Sequence, residues 1–198
     1  MTACIRVGSI ALLVFTAACG GGSDGGGSSV FNGTVHGQSF AITDTISAAV
    51  TTTVDGTTVH GAAVVMGNTS DLCAEAMSNS QHPNEKVVIL LMTDFDGTTS
   101  TLPKAAGTYS IFQGGGLPPP KIALFSISVS DATCQDVDAQ SADGATGTIT
   151  LSAISGDKFS GSFDVVLDSS DHVTGSFSPG ECPELNARLN NSTKPSCI

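Results

Sequence analysis

The sequence predicts an all-β domain, a single antiparallel β-sandwich or barrel-like fold with one short helix. First, Asp55-Gly56 lies between two alternating apolar segments, which is the signal of a two-residue hairpin turn. Second, apolar residues occupy odd positions through most of the last third of the chain. Third, turn residues separate the candidate strands at short intervals, which is typical of sandwiches and barrels. The predicted β-domain covers residues 30–198.

The register of the first hairpin can be tested on the sequence alone. Pairing Val54 with Thr57 places one set of apolar residues on the same face of both strands. That set is Ile46, Ala48, Val50, Val54, Val59, Ala63 and Val65. The opposite face carries Ser47, Thr51, Thr53, Thr58 and His60. The sequence therefore predicts a hairpin that buries one face.

The middle of the chain contains a continuously apolar segment, 87–92, which predicts a central strand. Two further strands are predicted within 107–113 and 121–130. The one helix is predicted over 70–78, with Ser70 as N-cap and Asp71 in the first turn.

Three half-buried strands are predicted in the last third of the chain. Their inward positions are Ile149, Leu151, Ala153, Phe159, Phe163, Val165, Leu167, Val173 and Phe177. A glycine recurs in these strands and in the first one, within segments 31–35, 145–149, 159–163 and 173–177. We expect these glycines to make room for a facing aromatic ring such as Phe159 or Phe163.

The N-terminus has the layout of a secretory signal over residues 1–18, with Arg6 before an apolar run. The end of that run, VFTAAC, resembles the lipobox of bacterial lipoproteins, although Thr16 stands where the family usually has Leu, Val or Ile. The resemblance implies that the mature protein begins at a lipid-modified Cys19 and is anchored in a membrane through it. Ordinary secretion after cleavage near Ala17 or Ala18 is the alternative.

Residues 19–29 follow as the lipidated cysteine and a Gly/Ser-rich segment, which predicts a flexible tether. Because Gly20 rather than Asp follows the cysteine, the sorting rule of Gram-negative lipoproteins implies the outer membrane. The expected location is therefore the cell envelope.

Four cysteines remain in the exported domain, namely Cys73, Cys134, Cys182 and Cys197. An even number in an oxidising compartment predicts two disulfides. Of the three connectivities, the sequence favours Cys73 with Cys134 and Cys182 with Cys197, because the second pair would hold the C-terminal tail.

The charge balance excludes some partners. The chain has 18 acidic residues against seven basic ones, for a formal charge of −11. Such a surface repels nucleic acid and anionic headgroups. No zinc-protease or phosphate-loop motif is found in the sequence, and no dinucleotide-binding motif follows a predicted strand. Neither a cofactor nor a metal is predicted.

The most site-like motif is Asp94-Phe95-Asp96-Gly97, which has the spacing that begins many calcium loops. The following residues lack the required oxygen ligands, so a plain turn is favoured over a calcium site at Asp94 and Asp96. A second acidic group could converge on it in the fold, comprising Asp131, Asp136, Asp138 and Asp143.

The four histidines have unremarkable predicted positions. His36 precedes Gly37 in a turn, and His82 lies in a loop. His60 lies opposite Thr51, and His172 is expected to face Asp168 across the last hairpin.

The favoured function is a non-enzymatic, membrane-tethered lipoprotein with a binding or envelope-structural role, towards an envelope protein or a glycan. One alternative is an envelope hydrolase with a noncontiguous site around Asp94, Asp96 and one histidine. Another is a small-ligand carrier with an apolar barrel cavity.

Overall fold

The computed structural model describes residues 28–54, 56–114 and 116–198. Two α-helices and a 3₁₀ turn accompany fifteen strands in this part of the chain. In chain order the elements are β1 (Ser28–Asn32), β2 (Thr34–Val35), β3 (Gln38–Ser39), β4 (Asp44–Val54), β5 (Thr57–Gly67), α1 (Leu72–Ser78), β6 (Ser80–Gln81), β7 (Lys86–Phe95), β8 (Ser100–Thr101), β9 (Gly107–Ile111), β10 (Lys121–Val129), the 3₁₀ turn (Asp138–Gln140), β11 (Ala142–Ser155), β12 (Lys158–Leu167), β13 (His172–Ser178), β14 (Gly180–Glu181), α2 (Glu184–Leu189) and β15 (Ser196–Cys197).

Eleven strands form one sheet that curls into a half-barrel, which confirms the predicted all-β class. Its order is β1-β13-β12-β11-β9-β10-β7-β5-β4-β14, with β8 paired to β7. Most pairs are antiparallel, but β9 runs parallel to β10 and β14 runs parallel to β4. The sheet is therefore mixed rather than purely antiparallel.

The concave side of the sheet is filled by the main core. Tyr109, Phe125, Phe163 and Leu90 are all buried there, and the Phe125 and Phe163 ring centroids are 5.3 Å apart. The two ends of the sheet approach each other, since Thr45 Oγ1 donates to Ser29 Oγ at 2.7 Å. Core side chains thus fill the interior of the curled sheet, which is where a barrel that carries a ligand would have its cavity.

The first hairpin has the predicted register, with Val54 opposite Thr57. Asp55 of the predicted turn lies outside the described residues, and Gly56 has the expected positive φ of 78°. The predicted apolar face packs into a second core on the convex side, which includes Ile46 and Val65. The opposite face is not simply polar, because Ala62, Val64 and Met66 bury it in the main core.

The last three long strands also bury most of the predicted residues in the main core. Ala153 is an exception and is exposed. A register shift between Leu151 and Ala153 reverses the alternation there, so Ile154 packs against the core instead.

Two of the four recurring glycines make room for an aromatic ring, as predicted, whereas a Cβ atom on Gly33 or Gly147 would first meet backbone atoms of a neighbouring strand. A Cβ atom on Gly175 would collide with the Phe163 ring and with the Val30 carbonyl oxygen. On Gly161 it would lie 3.0 Å from Phe177 Cζ. These positions therefore tolerate no side chain without movement of a neighbouring strand or ring.

The predicted helix forms, but Ser70 is not its N-cap. Asp71 is the N-cap residue, with φ 66°, and makes no side-chain cap hydrogen bond. The buried Asp44 carboxylate instead accepts from the Leu72 N–H at 2.9 Å. A distant strand residue thus caps α1. The six-residue α2 was not predicted, because a single short turn has no clear apolar period.

Two disulfides form among the four expected cysteines, but the favoured connectivity is wrong. The bonds join Cys73 to Cys182 and Cys134 to Cys197. The reason is that α1 packs against α2, which brings Cys73 next to Cys182, while β15 pairs with β6 beside the loop of Cys134.

The predicted signal peptide, Cys19 and most of the predicted tether lie outside the described residues. Ser28 and Ser29, the last two residues of the predicted tether, already belong to β1 and pair with β13. Within the described ranges, no helix has the length and apolar character needed to cross a membrane.

Candidate functional site

Asp94, the first calcium candidate, belongs to a partly buried cluster of side chains at the end of β7. Its Oδ1 accepts hydrogen bonds from Lys121 Nζ and from the Tyr109 hydroxyl, both at 3.0 Å. Lys121 Nζ also donates to the Tyr109 hydroxyl at 3.1 Å and lies 4.5 Å from the centroid of its ring. Asp94 therefore already has a cation as its partner.

The protonation states of this cluster point to a structural role. Burial tends to raise the pKa of Asp94, but the hydrogen bonds from Lys121 and Tyr109 hold it below its usual value. Burial and Asp94 raise the pKa of Tyr109, despite the opposing effect of Lys121. Burial would lower the pKa of Lys121, but its hydrogen bonds raise it. Tyr109 and Lys121 thus keep their protons at neutral pH, which suits neither a base nor a nucleophile.

Asp96, the second calcium candidate, caps its own turn. Its Oδ1 accepts from the backbone N–H of Thr98 at 2.9 Å and of Thr99 at 2.8 Å. Both threonine hydroxyls also donate to its carboxylate. These bonds lower the pKa of Asp96, the backbone bond from Thr99 most strongly. The geometry is that of an Asx turn.

The second acidic group does not converge with Asp94. Lys121 at the start of β10 pairs with Asp94, whereas Val129 at its end pairs with Lys86. Asp131 and Asp136 follow β10, so they lie at the opposite end of β7 from Asp94. A strand of this length separates its ends by ~25 to 30 Å.

The histidine side chains do not meet either calcium candidate. His60 Nδ1 lies 2.9 Å from Thr51 Oγ1, as predicted. His36 lies in the predicted turn, with its Nε2 3.1 Å from the Ser141 carbonyl oxygen.

The partner predicted for His172 is wrong. Its Nε2 lies 2.7 Å from Oδ1 of Asp164, so its partner is Asp164 and not Asp168. Asp164 and His172 lie on the adjacent strands β12 and β13, whereas Asp168 is in the connection between them. The two side chains are well exposed, as expected for a surface ion pair.

A further candidate site is a cleft of about 830 Å³ on the convex side of the sheet. Its size falls within the range usual for small-molecule sites. Strands β4, β5 and β7 form its floor, and the two helices, residues 191–195 and the loop 130–138 form its walls. Its apolar lining residues are Ile46, Val65, Leu72, Ala76, Val87, Ile89, Leu185, Leu189 and Pro195.

The two disulfides hold the walls of this cleft. Cys73–Cys182 joins α1 to the residues just before α2. Cys134–Cys197 joins the loop after β10 to the C-terminal strand. Segments distant in sequence are thus fixed around one opening.

A pair of glutamates lies in the cleft. Glu75, on α1, is only 6% exposed, and its Oε1 accepts no hydrogen bond. His82 Nε2 is 3.4 Å from that oxygen, an ion-pair distance without the alignment of a hydrogen bond. A buried carboxylate oxygen without a hydrogen-bond donor lowers the stability of the folded state.

Glu85, just before β7, is the second member and is partly exposed. Its Oε1 lies 3.5 Å from the Thr69 hydroxyl. Burial, the hydrogen bond with Glu75 and the charge of Glu75 raise the pKa of Glu85 to about 8, against the opposing charge of Arg188. Glu85 therefore holds a proton at neutral pH.

Neither glutamate of this pair is predicted from the sequence as a site residue. Glu75 and Glu85 are ten residues apart, on a helix and at the start of a strand, and neither belongs to a motif. The one available signal was Glu75 itself, an acidic residue on the side of a predicted helix that must face the sheet.

Comparisons with protein-family models, curated proteins and solved structures gave no match.

Proposed function

We propose that this chain is a membrane-tethered extracytoplasmic lipoprotein whose β-domain binds a small amphipathic ligand in the convex cleft. The role is non-enzymatic. The cleft is the observation that carries the binding role, because it combines an apolar floor with a charged rim. Ligand sites usually have an apolar lining with a few polar groups that orient the ligand.

The cleft also differs from an ordinary surface depression in how it is made. Val87 and Ile89 are outward-facing strand residues that neither helix covers completely, and both remain partly exposed on the cleft floor. The two disulfides restrain the walls, so little ordering is required when a ligand enters. A preformed site loses less binding free energy to ordering.

The location rests on the N-terminal sequence and on the disulfides. VFTAAC resembles a lipobox, with Cys19 as the lipidated residue and Gly20 favouring the outer membrane. Disulfide bonds are typical of oxidising extracytoplasmic compartments, which agrees with export.

Anchoring is tested by membrane fractionation of Cys19→Ser. The variant is expected in the soluble fraction, while wild type stays with the membranes. Cys4→Ser is the matched control, because Cys4 leaves with the signal peptide and its loss should change nothing. An N-terminal peptide of wild type without an acyl group in its intact mass would contradict lipidation.

Binding in the cleft is tested with the apolar fluorescent probe N-phenyl-1-naphthylamine. Wild type is expected to give saturable fluorescence enhancement, and Ile89→Asp is expected to abolish it by charging the cleft floor. Val166→Asp is the matched control, because Val166 is an exposed strand residue outside the cleft. Equal enhancement in wild type and Ile89→Asp would place the probe elsewhere and contradict the proposal.

The glutamate pair favours an envelope hydrolase as the second candidate. A protonated Glu85 beside the Glu75 carboxyl group could supply a general acid. Turnover of a chromogenic glycoside or a peptide substrate that disappears in Glu85→Gln would favour the hydrolase. Tight probe binding without turnover would favour the binding protein.

A further inference from the structure

The C-terminal strap, defined as residues 191–198, forms one wall of the cleft and runs from the end of α2 to the bond with Cys134. Its cleft-lining residues are Asn191, Ser192, Thr193, Lys194 and Pro195. The whole strap is exposed except for the half-buried Pro195. None of its residues belongs to either hydrophobic core of the described part of the chain. Core packing therefore does not hold this wall in place.

Few hydrogen bonds hold the strap beyond its junction with α2. β15 pairs with β6 over two residues only. In this pair the Ser196 N–H donates to the Asn79 carbonyl oxygen at 3.0 Å, and the Ile198 N–H donates to that of Gln81 at 3.1 Å. Asn79 Nδ2 also donates to the Thr193 carbonyl oxygen, at the long distance of 3.4 Å. Because a hydrogen bond contributes no more free energy than ordering one residue costs, the strap depends on its disulfide.

The loop on the other side of that disulfide is held independently. The Cys134 N–H donates to the Asp131 carbonyl oxygen at 3.0 Å, and the Cys134 carbonyl oxygen accepts from Gln81 Nε2 at 3.2 Å. Ser130 and Asp136 also form a bridge across the base of this loop. Opening the bond would therefore release the strap and leave the loop in place.

The two disulfides differ in their access to an attacking thiol. Cys197 is exposed, although its partner Cys134 is only 1% exposed. In the other bond Cys182 is fully buried and Cys73 is half-buried. Thiol–disulfide exchange requires a thiolate to reach one of the two sulfurs. The Cys134–Cys197 bond offers an approach from the side of Cys197.

Glu184 further protects the Cys73–Cys182 bond. Its Oε2 lies 3.6 Å from Cys73 Sγ and 3.8 Å from Cys182 Sγ. A carboxylate at this distance repels an arriving thiolate and disfavours the thiolate that leaves. The Cys73–Cys182 bond is therefore the more resistant of the two to reduction.

We propose that Cys134–Cys197 is a redox-sensitive restraint, whose reduction by a dithiol frees the strap and lowers the affinity of the cleft for its ligand. This regulation rests on the proposed binding function. One thiolate of the dithiol attacks Cys197 Sγ to form a mixed disulfide, and the Cys134 sulfur leaves and takes up a proton. The second thiol of the reductant then displaces the Cys197 sulfur, which is protonated in turn. The reductant becomes a disulfide, and its two electrons pass to the two cysteines.

Release of the strap removes one wall of the cleft. A ligand that binds the reduced protein must either lose its contacts with Lys194 and Pro195 or order the strap again. Ordering side chains and loops on binding lowers affinity. The strands of the floor and the two helices do not depend on this bond, so the site is weakened and not destroyed.

The test uses the Cys19→Ser protein, so that neither an acyl chain nor detergent competes for the fluorescent probe. The oxidised protein is treated with dithiothreitol under native conditions, alkylated and mapped by peptide mass. Cys134 and Cys197 should be alkylated first, while Cys73 and Cys182 stay joined. Reduction should weaken binding of N-phenyl-1-naphthylamine by about tenfold, and reoxidation should restore it.

Amide hydrogen exchange reports release of the strap itself. Reduction should remove the protection of the Ser196 and Ile198 N–H groups. The Cys182 N–H, which donates to the Ser47 carbonyl oxygen at 2.8 Å, should stay protected. This comparison separates release of the strap from unfolding of the domain.

Two variants complete the test. Cys134→Ser with Cys197→Ser should bind the probe as weakly as the reduced protein and should not respond to dithiothreitol. Glu184→Gln should speed reduction of Cys73–Cys182 and leave that of Cys134–Cys197 unchanged. The cycle of reduction and reoxidation tests the proposal even if the double variant fails to fold.

The outcomes separate the two proposals. Equal probe binding in both redox states, with the strap released, would overturn the redox control and leave the binding cleft intact. Earlier reduction of Cys73–Cys182, unchanged protection of Ser196 and Ile198, or loss of protection at Cys182 would also overturn it. No probe binding in either redox state would contradict the proposed function itself.

Discussion

The Cys73–Cys182 disulfide should contribute a large share of the stability of the domain. It joins residues that are 109 apart in sequence, so it closes the larger of the two covalent loops. In the loop-entropy account, closing a loop of that length removes about 5 kcal/mol of conformational freedom from the unfolded chain. The Cys134–Cys197 bond spans 63 residues and should contribute slightly less, about 4 kcal/mol.

Two double variants measure these contributions, Cys73→Ser with Cys182→Ser and Cys134→Ser with Cys197→Ser. We expect the first to lose about 2 to 5 kcal/mol in urea unfolding, because residual structure in the unfolded chain reduces the ideal value. The second should lose a similar or smaller amount.

The first double variant should also reduce probe binding in the cleft, because its bond fixes α1 against α2. Loss of less than about 0.5 kcal/mol in both variants would refute the reasoning, since unperturbed surface changes have effects of that size. A non-reducing peptide map that linked Cys73 to Cys134 would refute it independently.

Three further predictions concern single features of the fold. Gly175→Ala should cost about 1 to 3 kcal/mol of unfolding free energy, because its methyl group meets a fixed strand and an aromatic ring. Gly107→Ala should cost less, because its methyl group meets only the end of the Lys121 side chain and no backbone atom. Asp94→Asn with Asp96→Asn should leave the melting temperature indifferent to millimolar calcium, as in wild type. A calcium-dependent shift of several degrees that vanished in the double variant would contradict this reading. The unfolding free energy of wild type should fall as pH rises from about 4.5 to 8, because the unfolded chain loses the Glu85 proton at lower pH than the folded chain does. In Glu85→Gln this fall should be smaller by about 1 to 2 kcal/mol, a value discounted for the partial exposure of Glu85. If Glu85→Gln had the same dependence of unfolding free energy on pH as wild type, the raised pKa of Glu85 would be contradicted.

The fold was largely predictable because its strands alternate. The register at Val54 and Thr57 followed from one turn signal and one buried face, and both are local properties of the sequence. The face opposite was misjudged, because Ser47 has no apolar character yet is fully buried where the sheet curls over it. The curvature of the sheet depends on contacts between strands that are distant in sequence. The alternation of apolar and polar residues along one strand does not encode these contacts.

The disulfide connectivity was not predictable for the same reason. The sequence gives the four cysteines, but pairing Cys73 with Cys182 depends on α2, whose six residues carry no periodic signal. The expectation that a disulfide holds the C-terminal tail instead favoured Cys182 with Cys197, and the structure separates these two cysteines on different walls of the cleft.

The candidate site was hidden because its chemistry depends on burial. Glu75 and Glu85 are ordinary residues until helix packing removes one from water and the fold places the other beside it. Asp94, in contrast, stood out in the sequence by spacing alone, and the fold satisfies it with Lys121.

The central claim is that Glu85, which lies beside Glu75 in the cleft, keeps its proton at neutral pH. Titration of the Glu85 side-chain carboxyl carbon by NMR tests it most directly, in wild type and in Glu75→Gln. We predict a wild-type midpoint near 8 and a lower midpoint in Glu75→Gln, where the neighbouring negative charge is absent. A wild-type midpoint near the ordinary value of 4.5, unchanged in Glu75→Gln, would contradict the account.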